Sequence, residues 1–252
     1  MLDSHAHLHR EEFDADREEV VARLKAAGVR QVLEVGIDEA GGRKALALAR
    51  EHDFLKVALG FHPHEASRWS PAILEELRNM IEDENCVALG EMGLDYFRDY
   101  SPRDLQDACF RDQLKLAHEL DMPVIFHVRA AESDFLRIVD EIGPPRRAVL
   151  HAFSHEADFA RDCLDRGFYL GIGGILTYPK SRLPEILREL SPERILPETD
   201  CPWLSPQPLR GKRNEPSHLI HVREKLAEIY GVSEERMDEI NEASYAAFLG
   251  MA

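Results

Sequence analysis

Residue types that bind divalent metals recur along this sequence at the ends of short apolar segments. The chain begins with Asp3-Ser4-His5-Ala6-His7. Four more candidates each follow a separate apolar run, and they are Glu91, His127, His151 and Asp200. Short apolar runs bounded by turn or helix signals predict buried strands. A histidine or carboxylate at the end of a buried strand needs a polar partner, because burying an unpaired polar group is costly.

Four histidines and two carboxylates from five strand ends would form a site for two divalent cations. His5 and His7 are two residues apart on a strand, so both imidazoles point to one face and can bind one cation. Glu91 has two oxygens and can bridge both cations, whereas His127 and His151 would bind the second. The predicted metal ligands are His5, His7, Glu91, His127, His151 and Asp200.

The predicted catalytic residues are Glu91 and Asp200. Two cations acidify a shared water toward neutral pH, so that it becomes a hydroxide nucleophile. We expect Asp200 to act both as a ligand and as the acceptor of a proton from this water. Asp3 lies on the same face of its strand as His5 and is expected to orient one imidazole.

The elements that position these residues alternate between strand and helix. Apolar runs predict eight strands, at Leu2–Leu8, Val29–Ile37, Lys56–His62, Val87–Glu91, Pro123–Val128, Ala148–Ala152, Phe168–Gly173 and Arg194–Glu198. Amphipathic stretches predict helices that include Asp14–Ala27, Lys44–His52, Pro102–Leu120, Ser217–Tyr230 and Ser233–Leu249. Strands that alternate with helices pair in parallel through right-handed crossovers. Eight such units predict a (β/α)8 TIM barrel, in which functional residues lie where strands end.

A doubly wound open sheet is the alternative architecture. It is disfavoured because the sequence has no G-x-G-x-x-G after a strand and no Walker A motif. A length of 252 residues suits one barrel, and no linker, repeat or low-complexity tract divides it. We therefore predict that residues 1–252 form a single hydrolase domain of the barrel type.

Charge and composition exclude several classes of protein. The net charge of −16 argues against a protein that wraps long duplex DNA, but not against an enzyme that handles one strand end. The four cysteines form no C-x-x-C pair, so neither a disulfide scaffold nor a zinc finger is indicated. The sequence lacks a signal-peptide pattern and any apolar run of the roughly 18–20 residues that span a bilayer. These features predict a cytoplasmic protein.

Seven sequence blocks carry a more specific resemblance. In chain order they are D-S-H-A-H-L, G-F-H-P-H, G-E-M-G-L-D-Y, F-H-V-R, H-A-F-S, E-T-D-C-P-W-L and R-G-K-R-N-E-P. Together they resemble the TatD family of metal-dependent deoxyribonucleases, from Leu2 to about Phe248. The resemblance implies an amidohydrolase-superfamily barrel with a two-metal site, whose ligand positions match the six residues named above. It also implies hydrolysis of DNA phosphodiesters, often from a 3′ end.

The resemblance further predicts the cofactors and partners. The two divalent ions are expected to be magnesium, manganese or zinc, since imidazoles and carboxylates together suit all three. DNA ends or short single-stranded DNA are the expected substrates, and we expect a monomer with no membrane or stable protein partner. One departure from the family concerns substrate fit, because His155 puts an imidazole where a small residue is usual beside the pocket.

Two more residues are predicted to bind substrate. His62, beside Pro63 at the third strand end, suits phosphate contact or proton transfer to a leaving group. Arg129 follows His127 by two residues and can bind a phosphate, although an ion pair with Asp95 or Glu132 is the alternative.

Two other functions remain open on the same barrel. One is a hydrolase of a C–N, lactone or phosphotriester bond in a small molecule. Related sites of that kind bridge their metals with a modified lysine on the fourth strand, and Glu91 at that place favours the TatD interpretation. The other is a non-catalytic metal-binding protein, which the complete ligand set disfavours.

Overall fold

The protein is a succession of parallel strands and helices. A computed structural model describes residues 1–251. The strands are β1 (Leu2–Ala6), β2 (Gln31–Gly36), β3 (Leu55–Leu59), β4 (Cys86–Asp95), β5 (Val124–Arg129), β6 (Ala148–Leu150), β7 (Tyr169–Ile172) and β8 (Ile195–Pro197). The α-helices are α1 (Arg17–Ala26), α2 (Glu39–Glu51), α3 (Pro71–Met80), α4 (Arg103–Leu120), α5 (Glu132–Ile142), α6 (Ala157–Asp165), α7 (Leu183–Leu187), α8 (Leu219–Tyr230) and α9 (Glu234–Leu249). The strands form one sheet in the order β1 to β8, which confirms the predicted (β/α)8 class.

Contacts divide the chain into two compact units. Unit 1 comprises residues 1–34 and 151–252, and unit 2 comprises Val35–Leu150. In unit 1, β1 lies beside β8, because the His7 N–H donates to the Cys201 carbonyl and the Asp200 N–H to the His5 carbonyl, both at 2.9 Å. In unit 2, β4 pairs in parallel with β3 and with β5. The single-domain assignment for residues 1–252 stays a prediction.

Aromatic side chains form part of the core of unit 2. Phe110 of α4, Phe126 of β5 and Phe135 of α5 are fully buried. Their ring centroids lie 4.9–5.8 Å apart, in stacked and edge-to-face arrangements. Burial of each such ring contributes about 1.5–3 kcal/mol, so these contacts fasten α4 and α5 to the strand that carries His127.

Helix α2 begins five residues before the predicted start at Lys44. The Asp38 side chain caps it by accepting a hydrogen bond from the Gly41 N–H at 2.6 Å. Glycines at 41 and 42 suggest a turn in the sequence, yet Gly42 is required inside the helix by close packing. A Cβ on Gly36 would lie 2.6 Å from the Gly42 Cα, so β2 and α2 meet with glycine on both sides.

Strand β4 extends four residues beyond its predicted end at Glu91. Its register with β5 pairs Gly93 with His127 and Asp95 with Arg129. A Cβ on Gly93 would lie 2.0 Å from the His127 carbonyl oxygen, so glycine there permits the two strands to stay this close. The prediction that Glu91 ends its strand is therefore wrong, whereas β5 contains His127 as predicted and ends at Arg129, one residue beyond its predicted end at Val128.

Two buried glutamines lie on the same face of α4, two helical turns apart. Their side chains bind the main chain near the strand ends. Gln113 accepts from the Phe61 N–H at 2.7 Å and donates to the Phe61 carbonyl at 2.9 Å. Gln106 accepts from the Asp95 N–H at 2.9 Å and donates to the Ser101 carbonyl at 2.8 Å. Both are fully buried, so they fix the segments that follow β3 and β4.

Residues 1–251 include no helix that is both long enough and apolar enough to cross a membrane.

Replacing Gln113 with leucine should lower the free energy of unfolding by about 1–3 kcal/mol, because the buried Phe61 N–H loses its acceptor. Urea unfolding followed by circular dichroism measures this difference. The control is Lys115→Leu on the same helix, whose side chain is 64% exposed and which should change stability by less than about 0.5 kcal/mol. Equal unfolding midpoints for Gln113→Leu and the wild type would show that Gln113 does not anchor this segment.

Candidate functional site

Two histidines of β1 and a carboxylate after β8 meet in unit 1. This set, His5, His7 and Asp200, is called the His7 group. The Nε2 atoms of His5 and His7 lie 3.1 Å apart, and the Asp200 Oδ1 lies 3.4 Å from His7 Nε2 and 3.8 Å from His5 Nε2. All three residues are buried. Burial alone would raise the pKa of Asp200, but the hydrogen bond from His7 and the nearby histidines lower it, so the carboxylate is ionised at neutral pH.

The Asp3 carboxylate fixes the backbone beneath this group. Its Oδ1 accepts from the backbone N–H of His5 at 3.3 Å and of Thr199 at 2.9 Å. Its Oδ2 accepts from the Thr199 hydroxyl at 2.5 Å. Burial raises the pKa of Asp3 to about 7, although these hydrogen bonds oppose the rise. We expected Asp3 to orient an imidazole, whereas these contacts join β1 to the segment that carries Asp200.

A second set in unit 1 shares His5. It consists of His5, His151 and Glu198 and is called the His151 group. The rings of His5 and His151 stack with centroids 4.1 Å apart, and His151 Nδ1 lies 3.8 Å from Glu198 Oε1. Glu198 Oε1 also accepts from the Ala152 N–H at 2.6 Å. Glu198 is not among the predicted site residues, although it begins the E-T-D-C-P-W-L block that resembles the family.

Glycine at position 171 makes room for Glu198. A Cβ at Gly171 would lie 2.3 Å from Glu198 Oε2 and 2.9 Å from the His151 Cα. Any larger residue at position 171 would therefore displace the Glu198 carboxylate.

Glu34, inside β2, is a second acid that is not among the predicted site residues. It is fully buried, and its two oxygens accept from the backbone N–H groups of Leu8 and His9 at 2.9 and 2.8 Å. Glu34 Oε1 also lies 2.5 Å from His9 Nδ1. These contacts fix the chain where it leaves β1, immediately after His7. A carboxylate inside an apolar strand such as Val32–Gly36 was the available signal, because such a group needs buried donors.

The third set lies in unit 2. It consists of His62, Glu91 and His127 and is called the Glu91 group. Glu91 Oε1 lies 2.7 Å from His127 Nδ1 and 3.3 Å from His62 Nε2. His127 Nε2 lies 3.2 Å from Asp95 Oδ2. Burial alone would lower the pKa of His127, but the hydrogen bonds to Asp95 and Glu91 raise it to about 9.

Asp95 is suited to orient His127 as a metal ligand. His127 donates Nε2–H to Asp95, so loss of the Nδ1 proton that points at Glu91 would leave Nδ1 free to bind a metal ion. The same Asp95 oxygen lies 2.8 Å from His64 Nε2. Burial would raise the pKa of Asp95, but His127, His64 and the Arg98 N–H lower it well below the usual range.

His62 has a different tautomer. Its Nδ1 accepts from the His64 backbone N–H at 3.1 Å, so the ring proton is on Nε2, toward Glu91. Burial lowers the pKa of His62 to about 4, so the ring is neutral at pH 7. A neutral ring with its proton on Nε2 donates a hydrogen bond there, which favours a contact to an oxygen over a metal ligand.

The donor sets fit divalent cations. Two ligands of one ion, at bond lengths of about 2.0–2.2 Å, lie roughly 3–3.5 Å from each other. The distances within the His7 group and between Glu91 and His127 are close to this separation. Imidazole nitrogens with carboxylate oxygens suit zinc and manganese, and the oxygens also suit magnesium.

Arg129 and His155 lie outside the three groups, and both contact aromatic rings. Arg129 is exposed at the end of β5, with its guanidinium carbon 4.1 Å from the centre of the Phe97 ring. Neither predicted ion pair of Arg129 is among these contacts, and its phosphate contact stays a prediction. His155 packs against Phe153 and Phe159, with ring centroids 5.4 and 4.8 Å away.

Comparison with known proteins identifies sequences similar to the chain over nearly its whole length. A family model described as TatD related DNase matches residues 2–250. The uncharacterized metal-dependent hydrolase YabD of Bacillus subtilis (strain 168) is 40% identical over 242 residues, which cover 95% of each chain. The 3′-5′ ssDNA/RNA exonuclease TatD of Klebsiella pneumoniae (strain 342) is 34% identical over 258 residues, covering 100% of this chain and 98% of the relative.

A solved structure has the same fold. The crystal structure of YJJV, a TatD homolog from Escherichia coli K12, matches with a TM-score of 0.94 and 29% identity. The match covers 100% of this chain and 98% of that one. The fold class predicted from strand and helix order is confirmed by this comparison as well.

Replacing Glu34 with alanine should destabilise the fold and weaken metal binding at the His7 group. The buried N–H groups of Leu8 and His9 lose their acceptor at about 1–3 kcal/mol each. The segment next to His7 also loses the hydrogen bonds that hold it to β2. Urea unfolding and titration with manganese measure the two effects. Glu34→Gln is the control, since it retains one carbonyl acceptor and should be affected less. Unchanged stability and unchanged manganese affinity in Glu34→Ala would contradict this role.

Proposed function

The chain belongs to the TatD family, and on this premise we propose that it is a metal-dependent nuclease that removes nucleotides from the 3′ end of single-stranded DNA. The observation that carries the proposal is the three groups of imidazoles and carboxylates in a family member, in which every residue except His127 is buried. The name of the Klebsiella relative, 3′-5′ ssDNA/RNA exonuclease, supports the polarity and the single-stranded substrate. It also makes RNA a candidate substrate.

We propose two divalent ions as cofactors, one at the His7 group and one at the Glu91 group. His5, His7 and Asp200 are the proposed ligands of the first, and Glu91 and His127 of the second. Bound cations of this kind activate water and offset the negative charge that develops on a phosphoryl oxygen. The additional roles of His151 as a ligand and of Glu91 as a bridge between the ions stay predictions.

Asp200 is the proposed acceptor of the proton from the attacking water. Two observations support this role: the lowered pKa keeps Asp200 ionised at neutral pH, and its carboxylate lies beside the histidines of the His7 group. Glu91 is proposed to hold the second ion in place, assisted by His127, which Asp95 orients.

His62 and Arg129 are proposed to bind the substrate. The Nε2–H of His62 can donate a hydrogen bond to a phosphate oxygen. The His62 ring is neutral at pH 7, so it makes this contact as an uncharged donor. Arg129 brings a permanent positive charge to the exposed end of β5. Neither role requires a bound metal ion.

We further propose a monomer that acts in the cytoplasm. The four cysteines are all unpaired thiols in the structure, which suits a reducing compartment. Light scattering during size-exclusion chromatography should give the mass of one chain, and a mass of two chains would overturn the proposed monomer.

Asp200→Ala should lose nuclease activity by at least about a hundredfold, because removal of a general base costs about 10²–10⁴ in rate. The measurement is stepwise shortening of 5′-labelled single-stranded DNA, in EDTA and after restoring magnesium, manganese or zinc. The control is Asp158→Ala, whose side chain is 96% exposed on α6 and which should stay within twofold of the wild type. If the wild type releases no nucleotide with any metal, the proposal moves to a small-molecule ester, lactone or amide as substrate.

Single substitutions in each group should remove one ion each. The wild type should bind two manganese ions per chain, while His7→Ala and His127→Ala should each bind one, because each loses an imidazole from a different group. Metal analysis after dialysis against manganese counts the ions. His221→Ala, a histidine on α8 outside all three groups, should still bind two. Two ions in both group variants would refute the assignment of ligands.

A further inference from the structure

Two large aromatic rings project from the segment between β4 and α4. Phe97 and Tyr100 are the most exposed aromatic side chains among residues 1–251, at 62% and 64%. Most aromatic area in this protein is buried, so leaving two rings three residues apart in water has a cost in hydrophobic free energy. The two rings and the guanidinium groups of Arg98 and Arg129 are called the aromatic platform below.

The backbone that carries the platform is fixed at both ends. Asp95 Oδ1 accepts from the Phe97 N–H at 3.0 Å and the Arg98 N–H at 2.8 Å. At the other end, Ser101 donates its hydroxyl to the His64 carbonyl at 2.7 Å, and its own carbonyl accepts from Gln106. A segment held in this way has already lost its conformational entropy, so a ligand that binds the rings does not have to order them.

Positive charge accompanies the rings. The guanidinium carbon of Arg129 lies 4.1 Å from the centre of the Phe97 ring, and that of Arg98 lies 5.9 Å from it. The exposed carboxylate of this segment, Asp99, lies 3.5 Å from Arg103. In a chain with a net charge of −16, a surface that joins exposed rings to two arginines is complementary to a ligand with flat bases and anionic phosphates.

The platform is continuous with the Glu91 group. The Tyr100 ring lies edge-on to His64, with centroids 4.8 Å apart. His64 Nε2 lies 2.8 Å from Asp95 Oδ2, and the same oxygen lies 3.2 Å from His127 Nε2. A base that stacks on Tyr100 would therefore be separated from the Asp95 carboxylate by the His64 ring, and Asp95 contacts His127.

We propose that the aromatic platform binds unpaired bases of a single-stranded nucleic acid next to the bond that is hydrolysed, while Arg98 and Arg129 contact its phosphates. This inference rests on the proposed nuclease function and adds the way in which the substrate is selected. Bases in a duplex already stack on their neighbours and pair with the other strand, so they are not available to the platform. The platform thus selects single strands by stacking rather than by reading sequence.

The test combines removal of the rings with removal of the bases. Two 5′-labelled oligonucleotides are compared, one intact and one with stable abasic nucleotides at its three 3′-terminal positions. The wild type should favour the intact strand in kcat/KM by at least roughly five- to a hundredfold, the range of one stacked base. Phe97→Leu/Tyr100→Leu, which retains apolar area without rings, should process both strands at a similar rate.

Two controls separate stacking from other effects. Phe97→Tyr retains the ring and should retain the preference for the intact strand. Leu120→Ala removes an exposed apolar side chain, 42% exposed at the end of α4, and should behave as the wild type. A double variant that still prefers the intact strand as strongly as the wild type would overturn the platform. Absence of hydrolysis of either strand by the wild type would instead overturn the proposed function.

A binding measurement tests the platform without turnover. In the Asp200→Ala background with manganese present, a 3′-terminal 2-aminopurine should lose fluorescence on binding, because stacking on a ring quenches it. Adding Phe97→Leu and Tyr100→Leu to this background should abolish the quenching. Quenching of equal depth in both proteins would show that the base stacks elsewhere.

Discussion

The candidate site depends on buried carboxylates that accept hydrogen bonds from the main chain. Asp3 binds the backbone of His5 and Thr199, and Glu34 binds the backbone immediately after His7. Glu198 accepts from the N–H that follows His151, and Asp95 accepts from two N–H groups after β4. A buried carboxylate is costly unless such donors surround it. Each acid therefore has only one low-energy arrangement of the surrounding chain, and that arrangement positions an imidazole.

This constraint acts on the backbone segments that carry the candidate ligands. Charge-assisted hydrogen bonds from backbone N–H groups are among the stronger ones, and they are made between groups with little freedom to move. Where an acid needs space, glycine supplies it, as Gly171 does beside Glu198. A cation that binds the folded chain and not the unfolded one adds its binding free energy to stability. Metal affinity and fold stability are thus coupled through the same buried acids.

Buried and exposed residues have different roles in the proposed enzyme. The proposed metal ligands and proton acceptor are nearly all buried, which suits roles that need a protected environment and fixed geometry. The surface is strongly acidic and repels long nucleic acids, apart from places where arginine accompanies exposed rings. Asp95 links the two, because one oxygen faces His127 and the other accepts from the segment that carries Phe97. The proposed selection of substrate and the proposed placement of a metal ligand would thus share one residue.

The sequence alone determined the order of elements, the parallel sheet and the positions of His5, His7, His151 and Asp200 near strand ends. It did so because apolar periodicity and metal-binding residue types are local signals. Only the tertiary structure decided that β4 continues to Asp95 and that Glu34 and Glu198 bind the main chain beside the histidines. These features depend on strand register and on which backbone groups meet across distant segments. Long-range packing sets both, and no local pattern encodes them.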